Sequence, residues 1–299
     1  MPGYWSRRTL AMAVAGPSAG TVNHCFTGSG TYDYWTGVGV RSGHVVREKT
    51  ARALGRLSQA IERQPDKVSS FYPQDRFCQI RGLGEIYELF LGRKTSGTFV
   101  EVGANDGVYV SNSWGLAERG WVGLMVEPLP DLAKRCRENH KDHPAVSVVE
   151  AAVAGPGLDE VTLFVAGALT TANDAVHNAY KGLDWAKGEL SGDSLRVRAL
   201  TLDNLLVQEA IPTEFDVLIV DVEGFEEEVF AGFDLNRWRP SLMIVELTDS
   251  HPNLRERAAA DCRLGDQILH SGYGIVYKDI ANTVFVRDDI RWAAMPDEE

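Results

Sequence analysis

The chain has 299 residues, of which 44% are hydrophobic and 24% charged, enough apolar material for one full α/β core and a small appendage. Its net charge of −12 argues against sequence-independent binding to nucleic acid or to an anionic membrane, because both select clustered Lys and Arg. Four scattered cysteines, Cys25, Cys78, Cys136 and Cys262, form no C-x-x-C pair and suggest neither a zinc site nor a disulfide framework, and no apolar run approaches the roughly 18 to 20 residues that span a bilayer.

Residues 1 to about 43 are rich in Gly, Ser and Thr without a sustained period, which predicts irregular structure. Ser6-Arg7-Arg8-Thr9-Leu10 followed by Ala11 to Gly16 resembles a twin-arginine export signal, but its apolar part of about seven residues is at the lower limit for one. A cytoplasmic location is the expectation. Between His44 and Arg63, apolar residues at Val46, Ala53, Leu54, Leu57 and Ile61 share one helical face, which packs on the catalytic domain or on a second copy in a homodimer. A second helix is predicted over Phe77 to Leu91, closed by Gly92. The expected organisation is an N-terminal extension over 1–70, a catalytic domain over 71–290 and an acidic tail over 291–299.

From Thr98 onward, strands and helices alternate, the signature of a doubly wound, mostly parallel sheet. The strand Thr98 to Val102 runs into G-A-N-D-G (Gly103 to Gly107). A helix is predicted over Tyr109 to Arg119, a strand over Trp121 to Val126, and a helix with its face at Leu129, Leu132, Ala133 and Cys136. Ala145 to Val153 reads as a third strand, and Glu160 to Val165 and Leu195 to Leu200 as two more. These last two flank an irregular segment, Ala166 to Ser194. The helix Leu202 to Glu209, the strand Asp216 to Asp221, the helix Phe225 to Phe233 and the strand Leu242 to Glu246 follow. Arg255 to Ser271 is the last helix, before paired strands at Tyr273 to Tyr277 and Thr283 to Val286.

In open α/β sheets a ligand lies beyond the carboxyl ends of the strands, and the candidate chemistry falls there. Gly103 and Gly107 let the backbone turn and approach a ligand, while Asn105 and Asp106 supply hydrogen bonds. The spacing is G-x-x-x-G rather than the dinucleotide G-x-G-x-x-G. Glu101 inside the strand would repel phosphate and suits a cationic ligand. Glu127 ends the second strand, where an acidic residue grips ribose hydroxyls. Together these residues point to an adenosyl ligand, S-adenosylmethionine.

Asp221 and Glu223 in D-V-E-G and Glu246 in I-V-E-L end two later strands expected side by side. Three readings remain open: a carboxylate takes the proton of an alcohol during methyl transfer, the three hold a hard divalent cation such as Mg, or they cap helices and loop amides. Thr170, Thr171, Asn173, His177, Tyr180 and Trp185 in the irregular segment suit a polyhydroxylated or aromatic acceptor. His177 has a pKa suited to a base.

Several stretches, in order, resemble the FkbM-type methyltransferases, a branch of the class I S-adenosylmethionine-dependent enzymes. They are Phe71-Tyr72-Pro73-Gln74-Asp75, F-V-E-V-G-A-N-D-G (Phe99 to Gly107), S-N-S (Ser111 to Ser113) and G-L-M-V-E-P (Gly123 to Pro128). E-A-A-V (Glu150 to Val153), T-L-D-N-L-L (Thr201 to Leu206), D-V-E-G-F-E (Asp221 to Glu226), R-P-S-L-M-I-V-E (Arg239 to Glu246) and Asn282 to Val286 continue the match. The resemblance implies a seven-stranded sheet with its last strand antiparallel, and methyl transfer to a hydroxyl of a sugar, glycan or secondary metabolite. It also implies that the Gly103 loop and Glu127 bind the donor, with Glu150 and Ala151 near the adenine. The family pattern often has Asn where this chain has Glu150. An NAD-linked sugar oxidoreductase and a non-catalytic domain binding an adenosyl ligand or a glycan are the alternatives.

Overall fold

A computed structural model describes residues 32–33, 38–39, 71–73, 78–184, 186–249, 251, 254 and 257–294. The helix expected between His44 and Arg63, the export-like segment and most of the acidic tail lie outside the described residues. Tyr32–Asp33 pairs antiparallel with Val38–Gly39, in a stretch whose composition predicts irregular structure.

Helix α1 (Leu83–Leu91) leads to strand β1 (Thr98–Val102), α2 (Trp114–Ala117), β2 (Val122–Val126), α3 (Pro130–Asn139) and β3 (Val146–Val149). Next come β4 (Ala152–Val153), β5 (Glu160–Phe164), α4 (Asp174–Lys181), β6 (Ser194–Leu200), α5 (Leu202–Gln208) and β7 (Val217–Val220). The chain ends with α6 (Glu226–Ala231), β8 (Leu242–Glu246), α7 (Ala258–His270), β9 (Tyr273–Lys278), β10 (Asn282–Arg287) and α8 (Asp288–Ala293). One seven-stranded sheet runs β9-β10-β8-β7-β1-β2-β3. Strands β8, β7, β1, β2 and β3 are mutually parallel, and β10 lies antiparallel to both β8 and β9. This is the α/β, doubly wound, seven-stranded class I methyltransferase-like architecture.

Each central strand is buried on both faces, as a parallel sheet covered by helices requires, so V-L-I-V of β7 is apolar throughout. Alternate side chains divide between two cores. Val100, Val102, Leu218 and Val220 face Leu205, Phe230 and Leu264 of α5, α6 and α7, while Phe99, Val217 and Ile219 face Leu83, Ile86 and Phe90 of α1. Among the described residues, no helix is long and apolar enough to cross a membrane.

Four predicted elements take different forms. The stretch read as one strand, Ala145 to Val153, divides at Glu150-Ala151. Val146–Val149 stays in the main sheet, and Ala152–Val153 pairs with β6 in a separate three-stranded sheet of order β4-β6-β5. The strands over 160–164 and 194–200 therefore stand outside the seven. The helix expected over Tyr109 to Arg119 shrinks to Trp114–Ala117. Asp106 Oδ1 there accepts from the amides of Val108 and Tyr109, and Val110 has φ of 54°, which ends any helical path. Among the described residues the first helix begins at Leu83; Phe77, where the prediction starts, lies outside the described set. Lastly, the irregular segment contains α4, whose N-cap Asn173 accepts from the amides of Ala175 and Val176.

Candidate active site

The carboxyl ends of β1, β2, β7 and β8 bring the candidate residues to one edge of the sheet in two groups. In the first, Glu101 lies in β1 on the side covered by α1 and is 4% exposed. It accepts from Ser113 Oγ at 2.6 Å, and more distantly from Ser111 Oγ and the Asn112 amide. These donors explain the missing helix, because residues 111–113 turn inward to solvate a buried charge. Burial pushes Glu101 up to about 7, against the pull of Ser113. Among the described residues it makes no ion pair.

Glu127 follows β2 and ties two loops together. Oε2 accepts from the Asn105 amide at 2.9 Å and Oε1 from the Leu129 amide at 2.8 Å. Burial raises its pKa to about 7. Each oxygen keeps a second lone pair for a ligand hydroxyl. Asn105, with φ of 53°, uses Oδ1 to accept from the amide of Asp106. Ala151 is buried just beyond β3, whereas Glu150 is exposed and faces Arg137 at 3.6 Å.

The two loop glycines have a packing reason beside the turn that their spacing suggests. Both have positive φ, 87° at Gly103 and 77° at Gly107. A Cβ on Gly103 would lie 1.7 Å from the Asp221 carbonyl oxygen, and one on Gly107 would meet His140 and Cys136 at 2.7 and 2.8 Å. Their missing side chains let the loop pack on β7 and α3, and this packing sets the loop's shape.

In the second group, Asp221, Glu223 and Glu246 each place a carboxylate oxygen within 4.8 Å of the others. Gln79 Nε2 donates to Asp221 Oδ2 at 3.0 Å. Glu223 holds φ of 52° and accepts from the Tyr180 hydroxyl of α4. Glu246 is 9% exposed, with its Oε2 3.8 Å from Arg257 Nη1. Burial raises all three pKa values, to about 8 for Glu223, where the Asp221 charge adds to the effect. Glu246 is raised further by Glu223 and Asp221.

Arg257 supplies the counter-charge. It donates to Glu226, lies 3.1 Å from Asp261 and reaches towards Glu246. Glu226 Oε1 accepts from the Val222 and Gly224 amides, which fixes the turn carrying Glu223. Asp261 accepts from the Thr248 amide and hydroxyl. Three carboxylates, Glu226, Glu246 and Asp261, thus surround one guanidinium.

In the sequence Glu226 and Ser113 stood out only as members of the D-V-E-G-F-E and S-N-S stretches, and nothing singled out Arg257, Asp261 or Gln79. Arg257 has no local signature, although E-G-F-E displayed Glu226. Of the residues proposed to grip an acceptor, Tyr180 reaches Glu223 and Asn173 Nδ2 donates to the Gly224 carbonyl at 2.8 Å. Thr170 and Thr171 make bonds within their own segment, and His177 is buried against the Phe164 ring at 4.3 Å. Trp185 lies outside the described residues.

Among curated proteins no significant match is found. Solved structures similar to this chain include the O-methyltransferase from Bacillus cereus in complex with SAH, at 12% identity and a TM-score of 0.39, covering 82% of this chain and 94% of that one. Cofactor-bound Rv0187 from MTB shares 13% identity with a TM-score of 0.39, covering 83% and 93%. Precorrin-6y C5,15-methyltransferase from Geobacter metallireducens shares 11% with a TM-score of 0.36, covering 72% and 92%. The pattern of the methyltransferase FkbM domain matches residues 101–268, more than half of the chain and the whole stretch from Glu101 to α7. The chain belongs to the FkbM methyltransferase domain family.

Proposed function

We propose that this methyltransferase is an S-adenosylmethionine-dependent O-methyltransferase acting on a hydroxyl of a sugar, glycan or secondary metabolite. The observation that carries the reading is the convergence of Asp221, Glu223 and Glu246 within 4.8 Å beside the loop that Glu127 holds. Glu101 is a buried carboxylate supplied with hydroxyl and amide donors but, among the described residues, no cation, which fits a positively charged ligand. Glu127 has lone pairs left for a ribose diol. Glu101, Gly103, Asn105, Asp106, Gly107, Glu127 and Ala151 would hold the donor.

The bound donor supplies an electrophilic methyl group, and the acceptor oxygen must lose its proton as it takes that methyl. A carboxylate takes that proton, and Asp221, Glu223 or Glu246 can do so. Their raised pKa values make them stronger bases than an ordinary carboxylate, nearer the optimum for general base catalysis. Gln79 and Tyr180 aim Asp221 and Glu223, and Arg257 holds the far side of Glu246. A hard divalent cation such as Mg in the same three carboxylates is the second reading, favoured by their common spacing.

Calorimetry with S-adenosylhomocysteine, followed by methyl-labelled donor against a panel of polyols with and without EDTA, tests both. Donor-product binding and EDTA-resistant transfer to a hydroxyl support the carboxylate base. EDTA-sensitive transfer restored by Mg supports the cation. Full activity in both Asp221→Ala and Glu246→Ala would falsify the assignment of the base.

A further inference from the structure

The rear of the Gly103–Gly107 loop is held by the end of α3. Two consecutive loop carbonyls meet two consecutive side chains: Asn139 Nδ2 donates to the Asp106 oxygen at 2.8 Å, and His140 Nε2 lies 2.9 Å from the Gly107 oxygen. His140 is 4% exposed. Its other nitrogen, Nδ1, is 2.9 Å from His143 Nδ1, and His143 Nε2 faces Glu118 Oε1 at 3.5 Å. The Trp114 ring packs on both imidazoles, at 5.2 and 5.1 Å between centroids.

The protons in this chain can be placed by elimination. A carbonyl oxygen only accepts, so His140 Nε2 carries a proton. Burial lowers the His140 pKa and favours the neutral ring, which leaves Nδ1 as an acceptor. His143 Nδ1 must then be the donor. A charge on His143 is compatible with every bond, because its second N–H would face Glu118. A charge on His140 would instead need His143 to turn a bare Nδ1 inward as the acceptor, and the burial of His140 opposes that charge. Asp106 on the loop, Glu118 after α2 and Cys136 on α3 are the other titratable groups around it.

We infer that His140 is a positioning residue for the donor loop, and that His143, steadied by Glu118, locks it in the Nε2–H tautomer that anchors the Gly107 carbonyl. The inference rests on the reading of Gly103 to Gly107 as the donor loop. It adds that the loop's shape depends on the placement of one proton as well as on packing.

The test uses the full chain with 15N-labelled histidine. Long-range proton–nitrogen spectra near neutral pH resolve its seven histidines, with His140→Gln and His143→Gln assigning the pair. His140 is expected with Nε2 protonated and Nδ1 bare. By calorimetry, His143→Leu removes the donor to Nδ1 and weakens S-adenosylhomocysteine binding about tenfold, the worth of one hydrogen bond. His143→Gln, whose amide can still donate, keeps the tautomer and restores affinity to within about threefold. An Nδ1–H form or an exchanging mixture at His140 in the wild type overturns the inference, and so do equal affinities for the Leu and Gln variants. No binding by the wild type overturns the donor reading and this role with it. Binding with the wrong tautomer overturns this inference alone.

Discussion

Glu127 and Glu246 occupy equivalent places, each at the carboxyl end of a parallel strand, yet their surroundings are opposites. Each oxygen of Glu127 takes a backbone amide, and the carboxylate pins two loops. Glu246 has Oε2 without a hydrogen bond, two further carboxylates within 4.8 Å, and one shared guanidinium at 3.8 Å. The β1–β2 half satisfies its charges internally and is pre-shaped for binding. The β7–β8 half crowds its charges, which adds to the burial that already makes Glu223 and Glu246 stronger bases.

The largest expected effect comes from removing the counter-charge in the crowded half. Arg257→Met leaves Glu226, Glu246 and Asp261 buried without a cation and should cost about 3 to 5 kcal/mol of stability, read by urea unfolding. A loss below about 1 kcal/mol, the scale of an exposed ion pair, would show that the carboxylates are already protonated around it.

The next effect concerns pH and the buried acid of the other half. The folded-state pKa of Glu101, about 7, lies above its ordinary 4.5. The native state therefore binds the proton more tightly than the unfolded chain, and this stabilisation is complete below pH 4.5 and lost as pH rises towards 7. Unfolding free energy should fall by about 3 kcal/mol from this group over that window. Glu101→Gln should flatten that slope, and identical slopes in both proteins would contradict the assignment.

A smaller effect is expected at Glu127. Glu127→Gln keeps an oxygen for one amide but turns an N–H towards the other. S-adenosylhomocysteine affinity should drop about tenfold by calorimetry. Unchanged affinity would mean that Glu127 serves only the loops.

The same contrast marks what could be read from the chain alone. Glu101 was legible as a charge inside an apolar strand run, and Gly103, Glu127, Asp221 and Glu246 as polar residues or a glycine where such a run ends, patterns local in sequence. Arg257 was not, because it lies in a stretch with no motif, and only the packing of α7 against α6 brings it to Glu226. The break at Glu150-Ala151 was hidden because both strands it separates are apolar. The helix α4 was hidden because Val176 and Tyr180, the two apolar residues among its three buried ones, are too few to mark a period in a polar segment. The glycines were found at the right positions, but their packing partners were hidden, since the Asp221 carbonyl and the His140 ring come from distant segments.

The most direct test follows the label from methyl-13C S-adenosylmethionine into a polyol acceptor, in the wild type and in the double variant Asp221→Asn, Glu223→Gln. The expected product in the wild type is an ether methyl on oxygen. In the double variant the expected rate is at least about a hundredfold lower, the usual scale for losing a general base, with S-adenosylhomocysteine affinity within about threefold. A methyl on nitrogen or carbon, or wild-type transfer by the double variant, would contradict the proposed mechanism.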